Sequence, residues 1–161
     1  PITLVEYASF TCPHCANFHD TVLPGLKSEY IDTGKVKFIY RDVFFDRFGL
    51  WASMIARCEP TRFFGISDML YSQQKEWIGS GDPAMIADNL KKMGKVAGLT
   101  DAQLDTCLTD GAKAEALVAW YQKNAEADGI NSTPSLVIDG EKFSNMSFAD
   151  LQAILDKKLA Q

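Results

Sequence analysis

Ile2-Thr3-Leu4-Val5-Glu6-Tyr7, then Ser9-Phe10-Thr11, then Cys12-Pro13-His14-Cys15: this opening stretch decides the fold. Its first six residues are β-branched, aliphatic or aromatic with one acid embedded, which is a strand signal. Proline directly after Cys12 suits the first position of a helix, where its missing N–H and fixed φ cost nothing. From Cys15 onward Phe18, Val22, Leu26 and Tyr30 recur every four residues, a helical stripe in which Pro24 predicts a kink. The helix is expected to stop at Thr33-Gly34, and Val36–Val43 reads as a second strand a few residues later. Strand, helix and strand so closely spaced form a βαβ unit, which favours parallel pairing.

Working outward, the texture from about Phe48 to Asp128 changes to Ala, Leu, Met, Lys and Gln with no strand candidate, so it reads as a helical block. Helix starts are expected at Asp82-Pro83 and at Thr100-Asp101-Ala102-Gln103, a capping box, with Gly79-Ser80-Gly81 a loop. After Gly129, Ser132–Phe143 carries two short strand signals around Asp139-Gly140, the dipeptide of a tight hairpin. A last helix fits Ser147–Leu159, with Phe148, Leu151, Ile154, Leu155 and Leu159 on one side. The expected class is α/β: a central mixed sheet of order βαβ…ββα over residues 1–47 and 129–161, with an all-helical insertion over 48–128.

The 161 residues are 47% hydrophobic and 23% charged, ordinary values for a globular chain with a packed core. A net charge of −5 offers no basic surface for nucleic acid. No apolar run approaches the roughly 20 residues of a membrane span, and Pro1-Ile2-Thr3-Leu4 does not read as a signal peptide. The sequence is therefore read as a soluble chain whose export signal, and an earlier strand, can have been removed ahead of Pro1.

The chemistry lies in Cys12 and Cys15. A cysteine at a helix N-cap faces unpaired backbone amides and the positive end of the helix dipole, which together favour its thiolate. Cys12 is then the nucleophile. Cys15, three residues on, lies within reach of a disulfide. Between them His14 can donate a hydrogen bond or a charge to the Cys12 sulfur, or stand as an exposed spacer. Two other readings of the pair stay open: an inert structural disulfide, and a zinc site in which Cys12, Cys15 and His19 supply three ligands, although no second close pair completes it. A c-type haem site requires histidine where Ala16 stands.

Phe10-Thr11-Cys12-Pro13-His14-Cys15 together with Thr133-Pro134 resembles the DsbA family of thioredoxin-fold thiol-disulfide oxidoreductases, and the likeness spans essentially the whole chain. The resemblance implies an enzyme with no cofactor and no metal, with Cys12 attacking, Cys15 buried and resolving, and Pro13 and His14 tuning the couple. It implies that Pro134 is a cis-proline whose loop, with Thr133, holds extended substrate. Glu6 matches the family's buried acid, which moves protons to and from Cys15; the alternative is a surface charge on an edge strand. Cys58 and Cys107 are expected to bridge and brace the insertion, as in some relatives, or else to remain two buried thiols.

Thr133 looks like the isomerase and reductase relatives, since strong oxidases often carry valine there. Isomerases of the group usually add a dimerisation domain; none is visible in these 161 residues, with residues upstream of Pro1 left open as its place, so a monomeric oxidase of reduced, unfolded secreted proteins is the first expectation. It would be periplasmic or otherwise secreted, and a membrane quinone-linked partner would recycle it. An isomerase or reductase of the same fold, and a redox-inert peptide-binding or chaperone module, are the alternatives. Phe63, Phe64, Met69, Trp77, Met85 and Met93 could line a peptide groove, with core packing the simpler account. Lys91-Lys92 and Lys157-Lys158 read as solvated helix faces.

Overall fold

A computed structural model describes residues 1–161. Its backbone divides into two compact units, residues 1–43 with 124–161 and residues 44–123.

The first unit is built on a four-stranded sheet of β1 (Ile2–Ala8), β2 (Val36–Asp42), β3 (Ser135–Ile138) and β4 (Glu141–Ser144), in the order β2-β1-β3-β4. β1 pairs parallel with β2, Ile2 opposite Val36 and Ala8 opposite Asp42, and antiparallel with β3, which pairs antiparallel with β4. The sheet is therefore mixed, with β1 central. β3 and β4 are joined by a two-residue turn at Asp139 (φ 48°) and Gly140 (φ 86°), the positive pair that a tight hairpin requires. Asp139 also anchors the turn to β1: its Oδ1 accepts from the Thr3 amide at 2.9 Å and its own amide donates to the Thr3 carbonyl at 2.9 Å.

The fourfold stripe after Cys15 is fully buried at Phe18, Val22, Leu26 and Tyr30, as its periodicity implies, but the backbone beneath it is not one helix. α1 (Pro13–Thr21) ends at Val22, α2 (Leu23–Leu26) restarts around Pro24, and a π turn spans Lys27–Ile31. Pro24 has no amide to return and its ring crowds the carbonyl four residues back, so the helix breaks there while the side chains stay in register with the core. That core gathers Ile2, Leu4, Phe18, Leu26, Leu136, Ile138, Leu151 and Leu155. Each such buried side chain contributes about 1.5 to 3 kcal/mol. The last helix, α9 (Phe148–Leu159), is capped by the Ser147 hydroxyl accepting from the Asp150 amide at 3.2 Å. Leu151 and Leu155 are its buried face, whereas Leu159, expected on that face, is exposed because it lies in the final turn.

The second unit is helical: α3 (Arg47–Ala56), α4 (Phe63–Ser72), α5 (Gln74–Ile78), α6 (Pro83–Val96), α7 (Asp101–Leu108) and most of α8 (Gly111–Asp128). α6 begins at Pro83 after Asp82, and α7 at the Thr100–Gln103 capping box, with both reciprocal hydrogen bonds formed. Trp77, Phe63 and Met93 are core residues, the Trp77 indole donating to the Leu70 carbonyl at 2.8 Å. Phe64 and Met85, grouped with them from sequence, are exposed instead. Cys58 and Cys107 are joined by a disulfide with Cα atoms 5.7 Å apart.

Candidate active site

Cys12 occupies the N-cap of α1 with extended backbone (φ −86°, ψ 118°), and Pro13 takes the first helical position. The Cys12 amide donates to the Ser9 carbonyl, and its own carbonyl accepts from the amides of Cys15 and Ala16, each at 3.1 Å. Ser9 steadies the approach, its Oγ lying 3.0 Å from the Thr11 hydroxyl and accepting from the Thr11 amide at 3.3 Å. The loop thus sets the Cys12 sulfur beside the backbone amides of His14 and Cys15 in the first helical turn, an anion-stabilising arrangement.

The two sulfurs differ sharply. Cys12 is half-buried and Cys15 fully buried, and both are free thiols here. A hydrogen bond from the Cys15 thiol, followed by Thr133 and the backbone amides of Cys15 and His14, lowers the Cys12 pKa from its usual 9 to about 5 against the cost of partial burial. Burial, reinforced by donation to Cys12, pushes the Cys15 thiol far above the usual range. One proton is thereby held on the inner sulfur while the outer one is anionic at neutral pH.

Thr133 and Pro134 meet the pair from β3's approach. The Thr133–Pro134 peptide is cis, and the Thr133 carbonyl lies 3.7 Å from Cys12 Sγ. The Ser135 hydroxyl donates back to the Ser132 carbonyl at 2.7 Å, closing the turn that presents Thr133. His14 is exposed, and it is its backbone amide that reaches Cys12.

Glu6 lies in the central strand and is wholly buried, so the alternative of an edge-strand surface charge is overturned by strand order. Both its carboxylate oxygens contact His19 Nε2, at 2.8 and 3.0 Å. The His19 side chain is only 5% exposed, and its ring meets Tyr40 edge-on at 6.1 Å. Weighed from sequence only as a metal ligand, His19 commits Nε2 to Glu6. Its spacing of four from Cys15 was the available signal, since it sets both residues on one face of α1. Sequence reasoning also missed a cluster on the opposite face of β1. There the Tyr7 hydroxyl donates to the Asp128 carboxylate and accepts from Arg41 at 2.9 Å. The Tyr7 pKa is raised, by burial first and by Asp128 second.

The sequence profile of the thioredoxin family matches residues 1–157. A putative protein-disulfide oxidoreductase of Rickettsia bellii is 33% identical over 99% of this chain, which spans 61% of that relative's length. Among solved structures, alpha-DsbA1 of Wolbachia pipientis is similar at 26% identity and a TM-score of 0.87, over 98% of this chain and 85% of that one. A protein-disulfide isomerase from Novosphingobium aromaticivorans is similar at 25% identity and a TM-score of 0.88, over 99% of this chain and 93% of the other.

Proposed function

Given that the chain belongs to the thioredoxin family, in its DsbA-like branch, we propose that it is a thiol-disulfide oxidoreductase that donates its Cys12–Cys15 disulfide to reduced, unfolded exported proteins. A substrate thiolate attacks Cys12 Sγ, a bond forms between them, and the Cys12–Cys15 bond breaks with its electron pair leaving on Cys15, which takes up a proton. A second substrate thiolate then attacks the substrate sulfur of the mixed disulfide, and Cys12 departs as a thiolate. The substrate is oxidised by two electrons and the enzyme reduced by two.

The observation that carries this reading is the Cys12 pKa of about 5, held there first by the Cys15 thiol. At pH 7 a sulfur two units below ambient is favoured as thiolate by about 2.7 kcal/mol, at about 1.36 kcal/mol per unit. That corresponds to about 58 mV of oxidising bias, an upper figure because solvent screens a half-exposed group. Stabilising the reduced enzyme in this way favours disulfide donation over disulfide reduction.

The carbonyl of Thr133 beside Cys12 supports a docking role for the Thr133-Pro134 loop, where an extended segment of substrate can pair with backbone. The Cys58–Cys107 bridge supports work outside the reducing cytosol. A membrane quinone-linked protein is the partner proposed to reoxidise the couple. The test is refolding of a reduced secreted protein by the stoichiometrically oxidised chain: wild type restores native disulfides, and Cys12→Ser does not. Equal rates for the two would refute the reading.

A second direction has a specific observation in its favour, threonine rather than valine before the cis-proline. An isomerase would rescue a substrate carrying scrambled disulfides when supplied already reduced. An oxidase acts on the reduced substrate only when supplied oxidised.

A further inference from the structure

The face of β1 opposite Glu6 carries a second polar cluster, which the exchange chemistry at the two sulfurs does not call upon. Tyr7 is fully buried in this central strand. Its hydroxyl donates to the Asp128 carboxylate, with the Asn124 carbonyl 3.2 Å away, and accepts from Arg41 Nη1 at 2.9 Å. Arg41 reaches it from β2, directly opposite in register, and also lies 3.4 Å from Asp128 Oδ2. With the guanidinium donating to its oxygen, the hydroxyl has its one proton directed at the carboxylate. Hydrogen bonds to an ionised acceptor are roughly twice as strong as neutral ones.

Asp128 closes α8, and the chain reverses there. Gly129 has φ 64°, its amide returns to the Glu126 carbonyl at 3.2 Å and the Ile130 amide to the Ala125 carbonyl at 2.8 Å, a glycine-capped helix end. From Asp128 the chain runs five residues to Thr133 and two more to Ser135, which pairs with Tyr7 across β1 and β3. The segment is thus pinned to Tyr7 at both ends, at Asp128 by the side-chain hydroxyl and at Ser135 by strand pairing. Between them it is braced by Lys142 Nζ donating to the Gly129 carbonyl at 2.8 Å and by the Ser135 hydroxyl donating to the Ser132 carbonyl at 2.7 Å. What it presents is Thr133, whose carbonyl lies 3.7 Å from Cys12 Sγ and whose side chain helps to hold that sulfur as thiolate. On the other side, β1 runs from Tyr7 to Cys12 in five residues. One residue therefore joins the strand that delivers the nucleophile to the segment that delivers its neighbour.

We propose that Tyr7, oriented by Arg41 and bonded to Asp128, is a positioning residue that sets the span between the Thr133 backbone and Cys12, and so favours extended polypeptide thiols over small ones. The inference rests on the oxidoreductase reading and deepens it. A polypeptide thiol that reaches Cys12 lies along the Thr133 backbone, so its docking depends on where that backbone stands. A small dithiol needs only the sulfur. Tyr7 touches neither thiol and acts through the segment it anchors, so loosening that segment weakens polypeptide docking while the sulfur chemistry continues.

The experiment uses the oxidised full chain with two reductants, an unstructured peptide carrying two reduced cysteines and dithiothreitol. Single turnovers are quenched in acid and alkylated, and the reduced fraction of the Cys12–Cys15 pair is read by mass against thiol concentration. In Tyr7→Phe, which keeps the buried ring and removes the hydroxyl, the half-saturating peptide concentration should rise about tenfold, equivalent to about 1.4 kcal/mol of docking. The ratio of peptide to dithiothreitol rates at low concentration should fall by the same factor. Asp128→Ala removes the other end of the bond at a side chain already 30% exposed, and should lower the ratio in the same way. It carries the test should Tyr7→Phe not fold.

An unaltered ratio in either folded variant would overturn the proposal. So would an equal slowing with both thiols that follows a fall in thermal midpoint, the mark of a brace for the fold alone. Failure of the oxidised wild type to oxidise either thiol defeats the functional reading, whereas oxidation of both with an unaltered ratio in Tyr7→Phe defeats only the role of Tyr7.

Discussion

Replacing Cys15 by alanine removes the largest influence on the Cys12 sulfur while leaving the helix that carries it. The hydrogen bond from the Cys15 thiol leads the causes that bring Cys12 to about 5, with Thr133 and the amides of Cys15 and His14 behind it. A hydrogen bond to a charged group contributes about 1.5 to 3 kcal/mol, and one pKa unit is about 1.36 kcal/mol, so its loss should raise Cys12 by about one to two units, to about 6 to 7. The amides survive the substitution, because Pro13 and the extended Cys12 backbone set them. Ultraviolet absorbance of the thiolate against pH is the assay. In the reduced wild type only Cys12 contributes below pH 9, since burial holds Cys15 protonated and Cys58 and Cys107 are bridged. An unchanged midpoint in Cys15→Ala would show that the inner thiol donates nothing. A midpoint returning to the free value of about 8.5 would show that the helix N-terminus contributes nothing, and the argument for the helical cap would fail.

Three further outcomes are expected. Because the folded pKa of Cys12 lies below its unfolded value, the thiolate's contribution to the stability of the reduced form is full above the unfolded pKa and disappears as pH falls through about 5. Reduced wild type should therefore gain on Cys12→Ser between about pH 5 and pH 9. The gain is on the order of 1 kcal/mol at neutral pH, after discounting for solvent, and urea midpoints at the two ends of the range check it. Replacing Cys58 and Cys107 together by alanine opens a loop of 49 residues and should cost up to about 4 kcal/mol by chain entropy, while the Cys12 titration stays where it was. Gly94→Ala should cost about 1 to 3 kcal/mol by urea unfolding, because a Cβ at Gly94 would lie 2.4 Å from Leu104 Cδ2 in a tightly packed contact; an unchanged midpoint would show that Leu104 can swing aside.

Most of this architecture was readable because local chemistry and tertiary structure agree. The Asp139-Gly140 turn, the Thr100–Gln103 capping box and Pro83 each write their backbone into neighbouring residues, and the fourfold stripe from Phe18 to Tyr30 names its own buried face. What escaped is long-range pairing. Nothing near Glu6 in the sequence names His19 as its partner, since the two meet only when α1 folds back over the sheet. The Tyr7, Arg41 and Asp128 cluster joins residues up to 121 positions apart. Periodicity also overcounted the buried face at Leu159, and residue type alone did not separate the buried Trp77 and Met93 from the exposed Phe64 and Met85. The split of one expected helix into α1, α2 and a π turn shows the limit of a side-chain stripe as a guide to backbone, because Pro24 breaks the hydrogen bonds without moving the apolar face.

The reduction potential of the Cys12–Cys15 couple, measured at equilibrium with glutathione at pH 7, bears most directly on disulfide donation driven by a stabilised outer thiolate. The account predicts a value well above that of a reductant, towards the about −120 mV of strong disulfide donors. A value at or below about −270 mV, the poise of thioredoxin, would contradict it.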